Sequence, residues 1–483
     1  MEPVFPFDLQ RPAAGEGALA SALHRQLRAA IVDGRMPAGA ALPSTRQAAA
    51  GLGVGRNTVV KVYDLLVAEG YVLPRRGARP VVAELGRRRS AKGLAVAPRA
   101  APVARLNPLW QLPALQPEAA RALPERSFRL GMPEHQGFPH AVWRQLAARA
   151  WRDMARRPFA YLPSDGLPAL REAIAQHVAF ARAVACSADD VVVTSGAQQA
   201  FDLLARLLVV PGRTRVVVEE PGYPPLRAAF IAAGARLVPV PVDDEGLCVD
   251  RLPADAAVVC VTPSHQSPTG VALSRERRAA LLAWAGARGA VLVEDDYDGE
   301  FRFGARPLDA LQTLDREGRV FYIGTFSKSL FPSLRKGFVV APAWARAALV
   351  AVKHTSDAHG DAQAQATLAA FIREGHLARH VRRLQPVYAA RRAALLAGLA
   401  DELADWLVPI PSEAGLHLAA RVRRVRDAPR VVAAVREACP GAQTTAEYAL
   451  QAGVPPAIAF GYGVVEPAQI TAALRRLRRL LRP

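Results

Sequence analysis

The chain has 483 residues but only four cysteines, and those four are dispersed. Cys186, Cys248, Cys260 and Cys439 show neither the close pairing of a zinc site nor the density of a disulfide scaffold. No metal site is therefore expected, and a reducing compartment fits. Long apolar runs are also missing: no stretch of about 18 uninterrupted apolar residues occurs, so no membrane-spanning helix is expected. The opening MEPVFPFDLQ has no basic start followed by an apolar run, which argues against a secretory leader. No internal repeat is visible. Together these absences predict a soluble, cytoplasmic protein. Acidic residues are the minority, 43 against 62 Lys and Arg, for a formal charge of +19. That balance makes a polyanionic partner plausible, yet arginine runs through the whole chain, so charge alone identifies nothing.

What is present is enough apolar material for large cores, with 51% hydrophobic against 22% charged residues. The length exceeds one compact core and suggests about two or three domains. Composition shifts at 84–125, where Ala, Pro and Arg dominate without helical or strand period. This reads as a semi-extended linker between a head at 15–83 and a body at 126–483. Leu109, Trp110 and Leu112 are apolar enough to dock on the body.

In the head, Leu19, Leu23, Leu27 and Ile31 recur every four residues and line one face of a helix ending near Gly34. Ser44, with Gln47 three residues on, is a reciprocal cap for a second helix, ending at Gly51. A third helix carries Val59, Val62, Tyr63 and Leu66 on its apolar stripe, with Gly70 at its C-terminal cap. Its opposite face presents Arg56, Asn57, Thr58 and Lys61 near the N-terminus, the end that enters the major groove in a helix-turn-helix. YVLPRRGARPVVA then reads as two strands around a basic turn, a wing carrying Arg75 and Arg76.

The stretch LPSTRQAAAGLGVGRNTVVKVYDLLVAEGYV closely resembles the winged-helix head of GntR-type regulators. The resemblance implies that Ser44, Arg46, Arg56, Asn57, Thr58 and Lys61 contact double-stranded DNA. The wing departs from the usual Arg-x-Gly-Ser-Gly-Thr, running Arg76-Gly-Ala-Arg-Pro80, and its Arg75 and Arg76 are expected to reach phosphate or the minor groove.

In the body, apolar β-branched runs at 191–194, 215–220, 257–262, 290–296 and 320–325 alternate with amphipathic stretches. That alternation predicts an α/β fold, a mostly parallel sheet with helices on both faces and ligands at the carboxyl ends of its strands. Thr194-Ser-Gly-Ala-Gln198 follows one strand and opens a helix, a place for an anion. Asp295 ends a buried strand, where a carboxylate needs a cation or donor. Tyr297 lies two residues on, on the same side if the strand continues. Lys328, in Thr325-Phe-Ser-Lys-Ser, follows the next strand, where an amine beside a partly desolvated, cationic pocket becomes a nucleophile. Arg335 offers a planar fork to a phosphate.

The order of these elements resembles fold-type I, aminotransferase-like proteins that bind pyridoxal 5'-phosphate, with a small α/β subdomain at about 370–483. The resemblance implies that Lys328 carries the cofactor as a Schiff base, that Asp295 meets the pyridine nitrogen and that Tyr297 donates to the ring oxygen. It further implies that Ser195, Gly196, Ala197, Gln198, Ser327 and Arg335 hold the phosphate and that Tyr223 stacks on the ring. Head and body together resemble MocR/GabR-type regulators. TPSHQSPTG at 262–270 replaces the usual Asn-Pro-Thr-Gly, so either His265 or Gln266 is expected to stand in for the missing Asn. The Arg that holds a substrate carboxylate is also missing; Ala459 in PPAIAFGYG occupies its place. The missing Arg favours a regulator over a working aminotransferase, the alternative reading, and the retention of Lys328, Asp295 and Arg335 argues against a cofactor-free scaffold. The resemblance also implies a homodimer on repeated or palindromic half-sites, with an amino compound or the cofactor itself as effector. The arginines of the C-terminal AALRRLRRLLRP are expected on the wet face of a last helix.

Overall fold

A computed structural model describes residue 5 and residues 19–75, 78–84, 106–116, 124, 126–156, 160–304 and 309–482. The chain divides into two compact units, residues 1–105 and 106–483. Most of the expected linker lies outside the described residues. Of the part described, Leu109 is half-buried, while Trp110 is 59% and Leu112 42% exposed.

The first unit contains helices α1 (Leu19–Val32), α2 (Thr45–Leu52) and α3 (Arg56–Ala68). Strands β1 (Val72–Leu73) and β2 (Val81–Val82) pair antiparallel, Val72 opposite Val82. The four-residue repeat of α1 buries Leu23, Leu27 and Ile31 against Val59, Val62 and Leu66 of α3. Each such side chain contributes about 1.5–3 kcal/mol by leaving water. Ser44 and Gln47 form the reciprocal cap of α2 as expected. That helix runs one residue beyond Gly51 because the left-handed position it needs, φ +62°, falls on Gly53.

The second unit is built on an eight-stranded sheet of order β3-β10-β9-β8-β7-β4-β5-β6. In chain order these are β3 (Val191–Thr194), β4 (Arg215–Glu220), β5 (Arg236–Asp243), β6 (Gly246–Leu247), β7 (Val258–Val261), β8 (Val291–Asp296), β9 (Val320–Thr325) and β10 (Gly337–Val340). The run β9-β8-β7-β4-β5 is parallel; β10 is antiparallel to both neighbours and β6 to β5. Alternate residues serve opposite faces. Val216 and Val218 pack with Phe201 and Phe230, whereas Val217 packs with Leu281 and Leu292.

A four-stranded antiparallel sheet forms the small subdomain: β11 (Leu407–Pro409), β12 (His417–Val422), β13 (Gln443–Thr444) and β14 (Ala457–Gly461), ordered β11-β12-β14-β13. Its core takes Phe128 and Phe301 from earlier in the chain, so it is not confined to 370–483. The last helix, Pro467–Leu481, buries Ile470, Leu474, Leu477 and Leu481. Its arginines sit in local ion pairs, Arg475 and Arg478 with Glu402 and Arg476 with Glu437. No described helix is long and apolar enough to cross a membrane.

Candidate cofactor site and nucleic-acid face

On the head, Arg46, Arg56, Asn57 and Lys61 are exposed and Thr58 is half-buried. The first turn of α3 has Gly55 at its cap and no side chain satisfying it, which leaves N–H groups open to an anion. Arg56 Nε reaches Thr45 Oγ1 only at 3.4 Å. Ser44 differs from this group. Its hydroxyl accepts from Gln47 N–H at 3.3 Å and donates to Gln47 Oε1 at 3.0 Å, so it is committed to the cap of α2 rather than free for DNA. Arg75 is exposed; Arg76 lies outside the described residues.

In the body, the carboxyl ends of β8 and β9 and the start of the helix Ala197–Leu208 open on one cavity of about 250 Å³. Its wall brings together Lys328, Asp295, Tyr297, Ser327, Arg335 and Tyr223, residues scattered over more than a hundred positions of the sequence. Lys328 Nζ donates to the Gly131 carbonyl at 2.8 Å. Burial lowers the proton affinity of this amine; nearby Asp298 and Asp295 oppose the effect, and Arg129 and Arg335 add to it.

Asp295 is 3% exposed, and its Oδ1 has no hydrogen-bond partner among the described residues. Burial, reinforced by Asp296 and Asp298, holds its carboxyl well above the usual carboxylate range. A buried carboxyl without a partner calls for a cation or donor in the cavity. A protonated pyridine nitrogen meets that need.

The phosphate end is equally specific. Arg335 sits in the left-handed region at φ +50° and donates Nη2 to the Ser195 carbonyl at 2.8 Å. A Cβ on Gly196, itself at φ +81°, would come within 3.0 Å of the Arg335 guanidinium, so only glycine lets the two approach. No side chain caps the helix that starts at Ala197, and Ala197 and Gln198 line the cavity. Ser195 and Gly196 stand behind that wall, and the Ser195 N–H is taken by Gln199 Oε1 at 2.7 Å. Ser327 accepts from Thr325 Oγ1 at 3.0 Å and faces the cavity.

The loop after β7 corrects one expectation. Gln266 does not face the cavity. Its amide nitrogen donates to Glu219 and to the Pro221 and Ser267 carbonyls, and its oxygen accepts from the Thr269 N–H and hydroxyl. A fully engaged buried amide has nothing left for a ligand. His265 is also behind the wall, in contact with Tyr297, and Ser267 is the loop residue that lines the cavity. His417 and Tyr448, from the small subdomain, complete the wall and were not anticipated. Their sequence neighbourhoods carry no motif; only the packing of β12 and of the turn after β13 delivers them. Ala459 pairs with Ala419 and lies in an apolar cluster with Val271, Ile410 and Leu130.

Comparison with known proteins agrees with both parts. Residues 19–82 match the family described as bacterial regulatory proteins, gntR family, and residues 130–452 match aminotransferase class I and II. A probable rhizopine catabolism regulatory protein, MocR, of Rhizobium meliloti is 40% identical over 83% of this chain and 81% of its own.

The chain belongs to the MocR-type regulators.

A second relative of this MocR-type chain, the transcriptional regulator TauR of Rhodobacter capsulatus, is 39% identical over 80% of the chain and 81% of its own. Among solved structures, kynurenine aminotransferase of Pyrococcus horikoshii superposes with a TM-score of 0.68 at 25% identity, covering 83% of this chain and 99% of that one. The body thus has the fold of a family that works with pyridoxal phosphate.

Proposed function

We propose that this MocR-type chain is a transcriptional regulator whose body holds pyridoxal 5'-phosphate at Lys328 and passes the state of that site to the DNA-binding head. The observation that carries the reading is the unpartnered Asp295 carboxyl facing the same cavity as the Lys328 amine and the Arg335 guanidinium. When bound, pyridoxal phosphate supplies an electrophilic carbon that amines add to and a ring that withdraws electrons. Lys328, its proton affinity lowered by burial, is the amine that holds that carbon. Asp295 would keep a proton on the ring nitrogen, Arg335 and the first turn from Ala197 would hold the phosphate, and Tyr223 would cover the ring.

An amino-compound effector, or the cofactor itself, then shifts the head between DNA-binding states in proportion to its differing affinity for them. A homodimer would present two heads to repeated or palindromic half-sites. The apolar surroundings of Ala459 favour a sensor over an enzyme turning over ordinary amino acids. An absorbance scan with added pyridoxal phosphate tests the reading. Wild type develops a protein-bound band and Lys328→Ala does not; no band in either protein would refute it.

A further inference from the structure

Behind the cavity wall, Tyr297 ends a chain of buried polar contacts. Its hydroxyl donates to the His265 carbonyl at 2.9 Å, and the same oxygen lies 3.2 Å from His265 Nδ1. The same Nδ1 lies 3.0 and 3.2 Å from the two carboxylate oxygens of Asp298. Asp298 is further held by the Leu416 N–H at 3.2 Å. The His417 ring lies against His265 with centroids 4.3 Å apart, its own Nε2 on the Pro268 carbonyl at 3.1 Å. His265, Asp298 and His417 are each 2% exposed.

The fit is close. A Cβ on Gly415, which sits at φ +82°, would come within 2.0 Å of the His265 ring and 2.4 Å of Asp298. The backbone here is therefore glycine so that the His265–Asp298 pair can exist.

The chemistry of this chain has a direction. A carboxylate only accepts, so Asp298 fixes a proton on His265 Nδ1. That leaves Nε2 as the far edge of the ring, buried and without a partner among the described residues. The Nδ1–H also faces the phenolic oxygen of Tyr297. A phenol that receives a hydrogen bond on its oxygen becomes a stronger donor through its own O–H. Tyr297 lines the cavity that Lys328 and Asp295 share, and its hydroxyl, which donates to the His265 carbonyl here, can rotate about its C–O bond to serve a ring oxygen instead.

We propose that His265, clamped by Asp298, is a positioning residue that aims and polarises the Tyr297 hydroxyl toward the ring oxygen of pyridoxal phosphate. It thus acts through Tyr297 in the place of the loop amide that Ser267-Pro-Thr-Gly270 lacks. This inference rests on the cofactor reading above and goes beyond it.

The test is the pH titration of the Lys328-dependent absorbance band in the full-length protein loaded with pyridoxal phosphate. The variants are His265→Ala, Tyr297→Phe and the double variant H265A/Y297F. Donation to the ring oxygen draws charge from it and weakens its hold on the proton shared with the lysine nitrogen. Losing that donation raises the midpoint. Tyr297→Phe and His265→Ala are each expected to raise it by about 0.5–1 pH unit. The decisive result is non-additivity: with Phe at 297, removing His265 moves the midpoint no further. The other charges acting on Lys328, namely Asp295, Asp298, Arg129 and Arg335, are the same in that pair of proteins.

A merely structural His265 would shift the midpoint equally in both backgrounds, or not at all, and either result overturns the proposal. If His265→Ala fails to take up cofactor, His265→Gln with and without Tyr297→Phe decides in the same way. Absence of a band in wild type would instead overturn the cofactor reading, and this inference with it.

Discussion

The two functional regions of this protein handle charge in opposite ways. On the head, Arg46, Arg56 and Lys61 are exposed on short helices, where keeping an unpaired cation costs almost nothing. They contribute only when phosphates replace their counterions, which makes their effect additive and salt-dependent. In the body, Asp295 is buried with an unpartnered oxygen and Lys328 has its proton affinity lowered by desolvation. There each charge depends on its partner, and removing one changes the others. A surface of free charges tolerates substitution piecemeal; a buried constellation does not.

Four substitutions sharpen that contrast, from the largest effect to the smallest. Lys328→Ala abolishes the protein-bound absorbance band altogether, because among the described residues no other amine lines the cavity. Asp295→Asn weakens pyridoxal phosphate binding by about 10- to 100-fold, the range for losing a hydrogen bond to a charged group. The same change stabilises the apo protein. The folded state raises the Asp295 pKa, so the native form binds this proton more tightly than the unfolded chain. Stability from this group is therefore present in acid and falls as pH rises out of the ordinary carboxylate range. Thermal melts of the apo protein at neutral pH should show Asp295→Asn higher, by about 1–3 kcal/mol of stability. Equal or lower stability would mean that the orphaned carboxyl carries no penalty.

Arg56→Ala is expected to weaken operator binding and to reduce the salt slope of affinity by about one, measured by fluorescence anisotropy across a salt series. An unchanged slope would remove Arg56 from the phosphate contacts. Ser44→Ala breaks the other way. Loss of the α2 cap costs about 1 kcal/mol, seen as a lower melting temperature of the head, with the salt slope unchanged. A lower slope without loss of stability would return Ser44 to the DNA face.

Much of this organisation was legible in the sequence. The five β-branched runs became β3, β4, β7, β8 and β9 within a residue at each end, since a strand buried on both faces must be continuously apolar. The strands β5 and β10 were missed. Arg236–Asp243 carries two prolines and a half-exposed face toward the sheet edge, and Gly337–Val340 is only four residues long. Lys328, Asp295, Tyr297 and Arg335, which line one cavity, stood out in the sequence because each lies at or after the end of a strand. Ser267, His417 and Tyr448 did not, and Gln266 was assigned a role that its five hydrogen bonds exclude.

Which residues the proposed function gives to a pyridine nitrogen, an aldehyde carbon or a phosphate follows from residue type and from position at a strand end, both local properties of the chain. Likewise the helices of the head follow from apolar spacing and caps that act over three or four residues. Which polar groups are free was decided only in three dimensions. Ser44 is spent on a cap, Gln266 on its own loop, and His265 is turned by Asp298 toward Tyr297. Hydrogen-bond capacity is finite, and whether a side chain has any left depends on neighbours brought from far along the chain.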